Sequence, residues 1–211
     1  MGVHASAVDA EHRRASRVRP GEGSQPPNAS VFAEATTSLA RVESVTFRSA
    51  ERGDVEEIAR TMELGFETYR EFMPEGWAPP PIEHEPVRAR LADPAIWCRV
   101  AEAHGKMAGH VALMPATLHG DFPDPDPTLA HLWQLFVREE YWGAGIATSL
   151  HSGAVEEAAR RGFSTFRLFT PSAQARARRF YEREGWSPSA PPFTEEDWGG
   201  MELVEYRRPL P

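Results

Sequence analysis

Cysteine is almost absent from this chain: Cys98 is the only one in 211 residues. One thiol excludes an internal disulfide and supplies no cluster for a structural zinc. Cys98 reads instead as a small buried hydrophobe. Long apolar runs are missing too. No stretch approaches the roughly 20 residues that a membrane-spanning helix needs, so no membrane partner is expected. Arg13, Arg14 and Arg17 near the N-terminus have no apolar segment behind them; a secretory signal is not expected, and the chain is read as cytoplasmic. Lys106 is the only lysine. Positive charge is short overall, 23 Lys and Arg against 31 Asp and Glu, for a net charge of -8. A general nucleic-acid binder needs basic surface, so that class is excluded, whereas a cationic small partner fits. Beyond His131, the histidines that follow the first 43 residues (His84, His104, His110, His119, His151) show no metal-ligand spacing. No metal is expected, and they are read as loop or surface residues.

What is present suffices for one packed core: 41% hydrophobic and 10% aromatic residues. Residues 1–43 are rich in Ser, Ala, Gly, Pro and charge, and cannot bury enough apolar area to offset their ordering entropy. They are read as a disordered tail, and residues 44–211 as the domain. Val45–Arg48 reads as a first strand. Asp54 and Glu57 have capping-box spacing, and Val55, Ile58, Met62, Phe66 and Tyr69 recur with helical period. After a proline-rich loop and a short helix from Glu85 to Ala92 come two strands around Ala103–Lys106, a hairpin, with a bulge suggested by Gly109. The remainder reads as strand, helix, strand, helix (Gln174–Glu184), a proline-rich loop at 187–200, and a last strand from Met201 to Tyr206. This order predicts an α/β sandwich with a mixed sheet.

The stretch from Leu129 to Ala147, LAHLWQLFVREEYWGAGIA, organises the rest. It reads as a buried strand, an acidic turn, a glycine loop (Trp142, Gly143, Ala144, Gly145, Ile146, Ala147) and a helix start. Backbone N–H groups and a helix N-terminus then converge on one point, which suits a phosphate or pyrophosphate. No Gly-Lys-Ser/Thr follows, so it is not a P-loop, and a Rossmann fingerprint would need a third glycine. On period-2 alternation His131, Trp133, Leu135 and Val137 share one strand face. Phe180 and Tyr181 are adjacent on a helix, so one of them is expected to point away from the other.

Val137, Gly143, Gly145, Ile146 and Ala147, followed in the next strand–helix unit by Gln174, Ala177, Phe180, Tyr181, Gly185 and Trp186, resemble the two motifs of the GCN5-related N-acetyltransferase (GNAT) superfamily. The resemblance covers the chain from about Val45 to Pro209. It implies a mostly antiparallel mixed sheet flanked by helices, with two splayed parallel strands at a cofactor site. It further implies that acetyl-CoA lies between Leu132–Val137 and Thr165–Phe169. Its arm would follow Leu135, Phe136 and Val137, and its pyrophosphate would rest on Gly143–Ala147. Two positions depart from the pattern. Trp142 stands where the family often has Gln or Arg, and Gln174 where it has Asn.

By the same resemblance Tyr181 would protonate the departing CoA thiolate, a strand amide near Val137 would polarise the thioester carbonyl, and His131 or water would take the amine proton. Tyr69, Phe72, Trp77 and Trp133 would wall the acceptor site. The activity implied is N-acetyl transfer from acetyl-CoA to a small-molecule or peptide amine, without a metal, and the family often forms homodimers. Two alternatives stay open. One is another acyl-CoA, peptide or O-acyl transfer on this scaffold; the other is a non-catalytic CoA-binding module.

Overall fold

The structure is a computed structural model in which residues 44–211 are described; the tail assigned to residues 1–43 lies outside the described residues. Four strands form an antiparallel meander: β1 (Val45–Ser49), β2 (Trp97–Ala103), β3 (Lys106–Pro115) and β4 (Leu129–Val137). β5 (Thr165–Pro171) pairs with β4 in parallel, and β8 (Met201–Pro209) closes antiparallel onto β5. The proline-rich segment at 187–200 contains two short strands that were not expected, β6 (Ser187–Pro188) and β7 (Phe193–Glu195), both paired with β8. Pro191 and Pro192 fall between them, where no ladder bond is required. The order is β1-β2-β3-β4-β5-β8-β6, with β7 also on β8. This is the mixed α/β sheet that the element order implied, and it is mostly antiparallel, as the family resemblance implied.

Helices cover both faces. α1 (Val55–Glu67) continues as a 3-10 turn over Thr68–Glu71, and α2 (His84–Ala92) follows. Ile58, Met62 and Phe66 of α1 pack with Val100, Met107 and Leu203 on one side of the sheet. α3 (Ile146–Arg160) sends Leu150, Ala154 and Ala158 against Val111, Leu113, Leu132 and Phe166 on the other. α4 (Ala175–Arg183) adds Tyr181 to this second core. None of these helices is long and apolar enough to cross a membrane. The cap at α1 sits one turn earlier than expected: the Asp54 carboxylate accepts the Glu51 amide at 2.7 Å and pairs with Arg48 at 2.7 Å.

Helices on both faces bury β3 without interruption from Met107 to Met114. His110 on β3 and His151 on α3 are therefore core residues, not the loop or surface residues expected. Each finds one partner: His110 Nε2 donates to Gln134 Oε1 at 3.1 Å, and Trp186 Nε1 donates to His151 Nε2 at 2.8 Å.

Two register shifts shape the centre. Ala101 faces Gly109 and Glu102 faces Met107, which leaves Ala108 as an extra residue next to the suspected Gly109. In β4, Ala112 faces Gln134 but Leu113 faces Leu132, so Trp133 is extra. A bulge inverts the alternation that follows it. Hence His131 does not share a face with Leu135 and Val137, as strict alternation had it. Leu135 and Val137 lie with Leu132 on the α3 side, while Gln134 and Phe136 turn to α1.

Strand approach is closest at Gly109, where a Cβ would meet the Phe136 carbonyl oxygen at 2.5 Å and Val137 Cα at 3.1 Å. Gly109→Ala is expected to cost about 1–3 kcal/mol in urea unfolding, because main chain must move. A loss below a few tenths would show that β4 yields freely.

Burial pushes His110 and His151 down to about 4, against about 6.5 in an unfolded chain. Between these values the unfolded state binds more protons. Their contribution to stability is therefore complete above about pH 6.5 and shrinks as pH falls toward 4. The urea midpoint is expected to be level from pH 7 to 8 and lower at pH 5; a profile level down to pH 5 would contradict this burial.

Candidate functional site

β4 and β5 are bonded only where Leu129, Ala130 and His131 face Thr165, Phe166 and Arg167. Beyond that point the strands diverge. β4 keeps β3 on one edge as far as Val137, and its other edge opens on a groove of about 630 Å3. Leu132–Val137 form one wall of this groove. Phe169, Thr170 and Gln174, with Ala177, Phe180 and Tyr181 of α4, form the other.

The glycine loop closes one end. Gly143 and Gly145 sit at φ 84° and 78°, conformations that favour glycine. Nothing lies within 4 Å of where a Cβ on either would stand. The glycines thus serve backbone conformation and leave open space before them. Among the described residues, the amides of Gly143, Gly145, Ile146, Ala147 and Thr148 have no backbone acceptor. They point from the N-terminus of a 15-residue helix, where the dipole adds partial positive charge.

Trp142, exposed at the mouth, donates its indole N–H to the Val137 carbonyl at 2.8 Å. Across the groove Arg176 of α4 lies over its ring, 3.3 Å from the centroid. A cation therefore stands at this mouth even though the loop itself lacks one. Sequence reasoning missed Arg176 because its link to the loop is spatial. Gln174 caps α4, accepts from Thr170 Oγ1 at 3.3 Å and is hydrogen-bonded to Tyr69.

Phe180 and Tyr181 both line the groove, with centroids 5.3 Å apart; neither ring turns away as adjacency had suggested. Phe180 lies edge-on to His151, while Tyr181 packs on Trp186 and Tyr206. Burial, with Tyr69 nearby, pushes the Tyr181 phenol above its ordinary value. It stays protonated over the whole working range and is a weaker acid than free tyrosine.

A second cavity of about 900 Å3 lies on the α1 side of the sheet. It shares Tyr69, Trp133, Gln134, Phe136 and Phe169 with the groove, so the two spaces meet at these residues. Of the four suggested acceptor residues, Tyr69, Trp77 and Trp133 line it. Phe72 does not; its ring packs against Tyr69 at 5.2 Å.

His131 lines the second cavity, 2% exposed, and its ring meets His119 edge-on at 4.3 Å. His119 is thus buried, again against expectation, because Arg167 Nη2 ties down the loop that follows it through the Phe122 carbonyl at 2.7 Å. Arg167 Nε donates to His131 Nδ1 at 3.3 Å, which places the proton of the neutral ring on Nε2. Burial, the neighbouring His119 and Arg167 hold His131 well below its ordinary range. Burial and Arg167 hold His119 down to about 4. Phe122 and Phe169 also belong to this wall; Phe169 was expected only as the end of a strand beside the cofactor, and Phe122 lies in an unpatterned loop.

The sequence pattern of the family described as "Acetyltransferase (GNAT) family" matches residues 62–186, more than half of the chain. No curated protein matches in a sequence search. Among solved structures, YncA from Salmonella typhimurium, determined with its cofactor acetyl-CoA, is 17% identical with a TM-score of 0.62, over 80% of this chain and 95% of that one. A GCN5-related N-acetyltransferase from Kribbella flavida is 20% identical, TM-score 0.61, over 80% and 99%. The PaiA N-acetyltransferase from Thermoplasma acidophilum, in complex with coenzyme A, is 20% identical, TM-score 0.58, over 77% and 98%. At these identities the structural likeness speaks for the fold; it is the match over residues 62–186 that decides membership, and the chain belongs to the GNAT acetyltransferase family.

Proposed function

We propose that this protein transfers an acetyl group from acetyl-CoA to a primary amine by direct attack, with both substrates bound together. The observation that carries this reading is the free edge of β4 running into the amide cradle at Gly143–Thr148, with Tyr181 on the facing wall. These residues fit CoA. Unpaired amides and carbonyls between Leu132 and Val137 suit an amide-bearing arm, and the cradle with Arg176 suits a pyrophosphate. Gln174, Ile146 and Ala147 belong to the same cofactor site; Ala144, expected there too, packs on the core and its amide donates to the Tyr141 carbonyl. When bound, acetyl-CoA supplies a thioester whose carbonyl carbon accepts the nucleophile.

The chain's own groups divide the remaining work. A free β4 amide near Val137 donates to the developing oxyanion, the interaction that carries most weight in acyl transfer. The Tyr181 hydroxyl supplies the proton for the departing sulfur. With a thiol pKa near 8.5 and a phenol raised above 10, that transfer is uphill. Its effect therefore belongs at the low end of the roughly 10²–10⁴-fold range of general acids.

Nitrogen is favoured over oxygen as the acceptor atom by the state of the two imidazoles. A hydroxyl needs a base poised near neutrality, and neither His119 nor His131 is so placed. An amine that arrives unprotonated needs no base in order to attack, and has only to shed a proton from the ammonium formed afterwards. Proton loss is accordingly assigned to water, with His131 acting as a neutral wall and hydrogen-bonding group.

Tyr181→Phe is expected to lower kcat about 100-fold, with acetyl-CoA affinity by calorimetry nearly unchanged. Wild-type turnover in that variant would remove Tyr181 from the chemistry.

The pH profile follows from the same assignment. log kcat/KM is expected to rise with unit slope from pH 6 up to the pKa of the amine itself, and to move with that pKa when the amine is changed. A fixed inflection near pH 6.5, independent of the amine, would restore His131 as the base.

A further inference from the structure

The second cavity carries chemistry that speaks to the acceptor. Its volume of about 900 Å3 is at the upper end of small-molecule sites. Aromatic rings dominate the wall. Trp77 is stacked on Tyr69 at 6.4 Å, Phe122 lies 4.9 Å from Phe169, and Trp133 and Trp198 complete the enclosure.

Charge on the wall is sparse and one-sided. Among the described residues, Glu75 and Asp121 are the carboxylates of the wall and Arg90 its arginine. The Arg90 guanidinium lies 4.2 Å over the Trp133 ring, with Asp121 as its electrostatic neighbour. Arg167 is buried and bonded to His131 and the Phe122 carbonyl, and it does not reach the wall. Gln134, at the junction with the cofactor groove, accepts from His110 Nε2 and directs its own N–H to the Met62 sulfur.

We propose that the acceptor is a primary amine on a flat aromatic body that bears no carboxylate of its own. This rests on the amine-acetylation reading above and names the substrate class within it. Ring surfaces recognise a flat aromatic body by offset and edge-to-face packing. A polyamine would instead need carboxylates spaced along its length, and the two among the described residues do not supply them. An aromatic amino acid would bring a third carboxylate to a wall where Glu75 and Asp121 already outnumber Arg90, and burying anionic charge in excess is costly. The same apolar surroundings depress the pKa of a buried amine. That supplies the neutral nucleophile which the wall's histidines do not generate.

The test uses the full chain and five amines: tryptamine, phenethylamine, tryptophan, spermidine and an alanine-initiated peptide. CoA release is followed at saturating acetyl-CoA. Tryptamine and phenethylamine are expected to exceed the other three in kcat/KM by about ten-fold or more, the scale on which pockets discriminate. Asp121→Asn, at an exposed loop position, and Trp77→Ala should each raise KM for tryptamine several-fold. Neither should change acetyl-CoA affinity by calorimetry, which also reports that the variant is folded.

Spermidine, tryptophan or the peptide matching tryptamine would overturn the inference while leaving amine acetylation standing. So would the absence of saturable tryptamine binding to the CoA-loaded protein. Absence of acetyl-CoA binding in the same calorimeter would sink the amine-acetylation reading itself. Tryptamine bound by the CoA-loaded protein, with no amine acetylated, would uphold the cavity's preference and remove the transferase.

Discussion

A parallel strand pair that stops after three residues is the constraint on which the rest of this structure depends. From Leu132 onward β4 has a partner on one edge alone. Main-chain N–H and C=O groups left without partners away from water are costly, so such an edge persists only if something holds the neighbour away and something else completes it. β8 does the first. It pairs with β5 along its full length, Thr165 to Pro171, and β5 follows β8 rather than β4. The glycine loop continues the same condition, since its amides extend the row of unpaired donors around the end of β4. The site is thus made mainly of backbone. This explains why its side chains tolerate a tryptophan at position 142.

The bulge at Trp133 is the second determinant, because it decides which side chains look which way. Before it, Leu132 faces α3 and His131 faces the α1 side. After it, Leu135 and Val137 return to the α3 core, while Gln134 and Phe136 reach toward α1. One inserted residue therefore places His131, Gln134 and Phe136 together on the wall of the second cavity. Without it, Gln134 would turn into the α3 core, away from the His110 donor and the Met62 sulfur that now satisfy it. Gly65 lets α1 come down onto Phe136, where a Cβ would press into that ring. The partition between groove and cavity is consequently thin, and an acceptor in one can face a thioester in the other.

The sequence made much of this legible, and the failures have physical causes. Strand and helix positions followed from periodicity because each face meets a distinct core; the loop at 142–147 followed from glycines whose positive φ is a local demand. Of the residues named from the two motifs, Val137, Gly143, Gly145, Ile146, Ala147, Gln174 and Tyr181 line one groove, whereas Ala144 packs on the α3-side core. What escaped was non-local. A bulge at a tryptophan has no glycine to announce it, so strict alternation put His131 with Leu135. His110 and His151 looked like loop residues because a polar ring in a core depends on a partner distant in sequence, Gln134 or Trp186. The strands β6 and β7 were hidden by the prolines between them.

The mouth of the groove shows how a departure from a motif can be compensated across space. A single polar residue at the loop position would both tie the loop and offer charge. Here the two tasks are divided. Trp142 ties the loop to the end of β4 through the Val137 carbonyl, and Arg176 brings the charge from the opposite wall. Arg176 lies in the first turn of α4, where a cation opposes the helix dipole by about 0.3–1 kcal/mol. Stacking on the Trp142 ring offsets a penalty of that size, since cation–π contacts at exposed sites contribute about 0.5–1 kcal/mol. The guanidinium is thus held in a place its own helix disfavours, facing the amide cradle of α3. An anion between the two would be met from both sides, by donors on α3 and by charge on α4. The glycine loop that looked self-sufficient in sequence is one half of a clamp whose other half begins at Gln174.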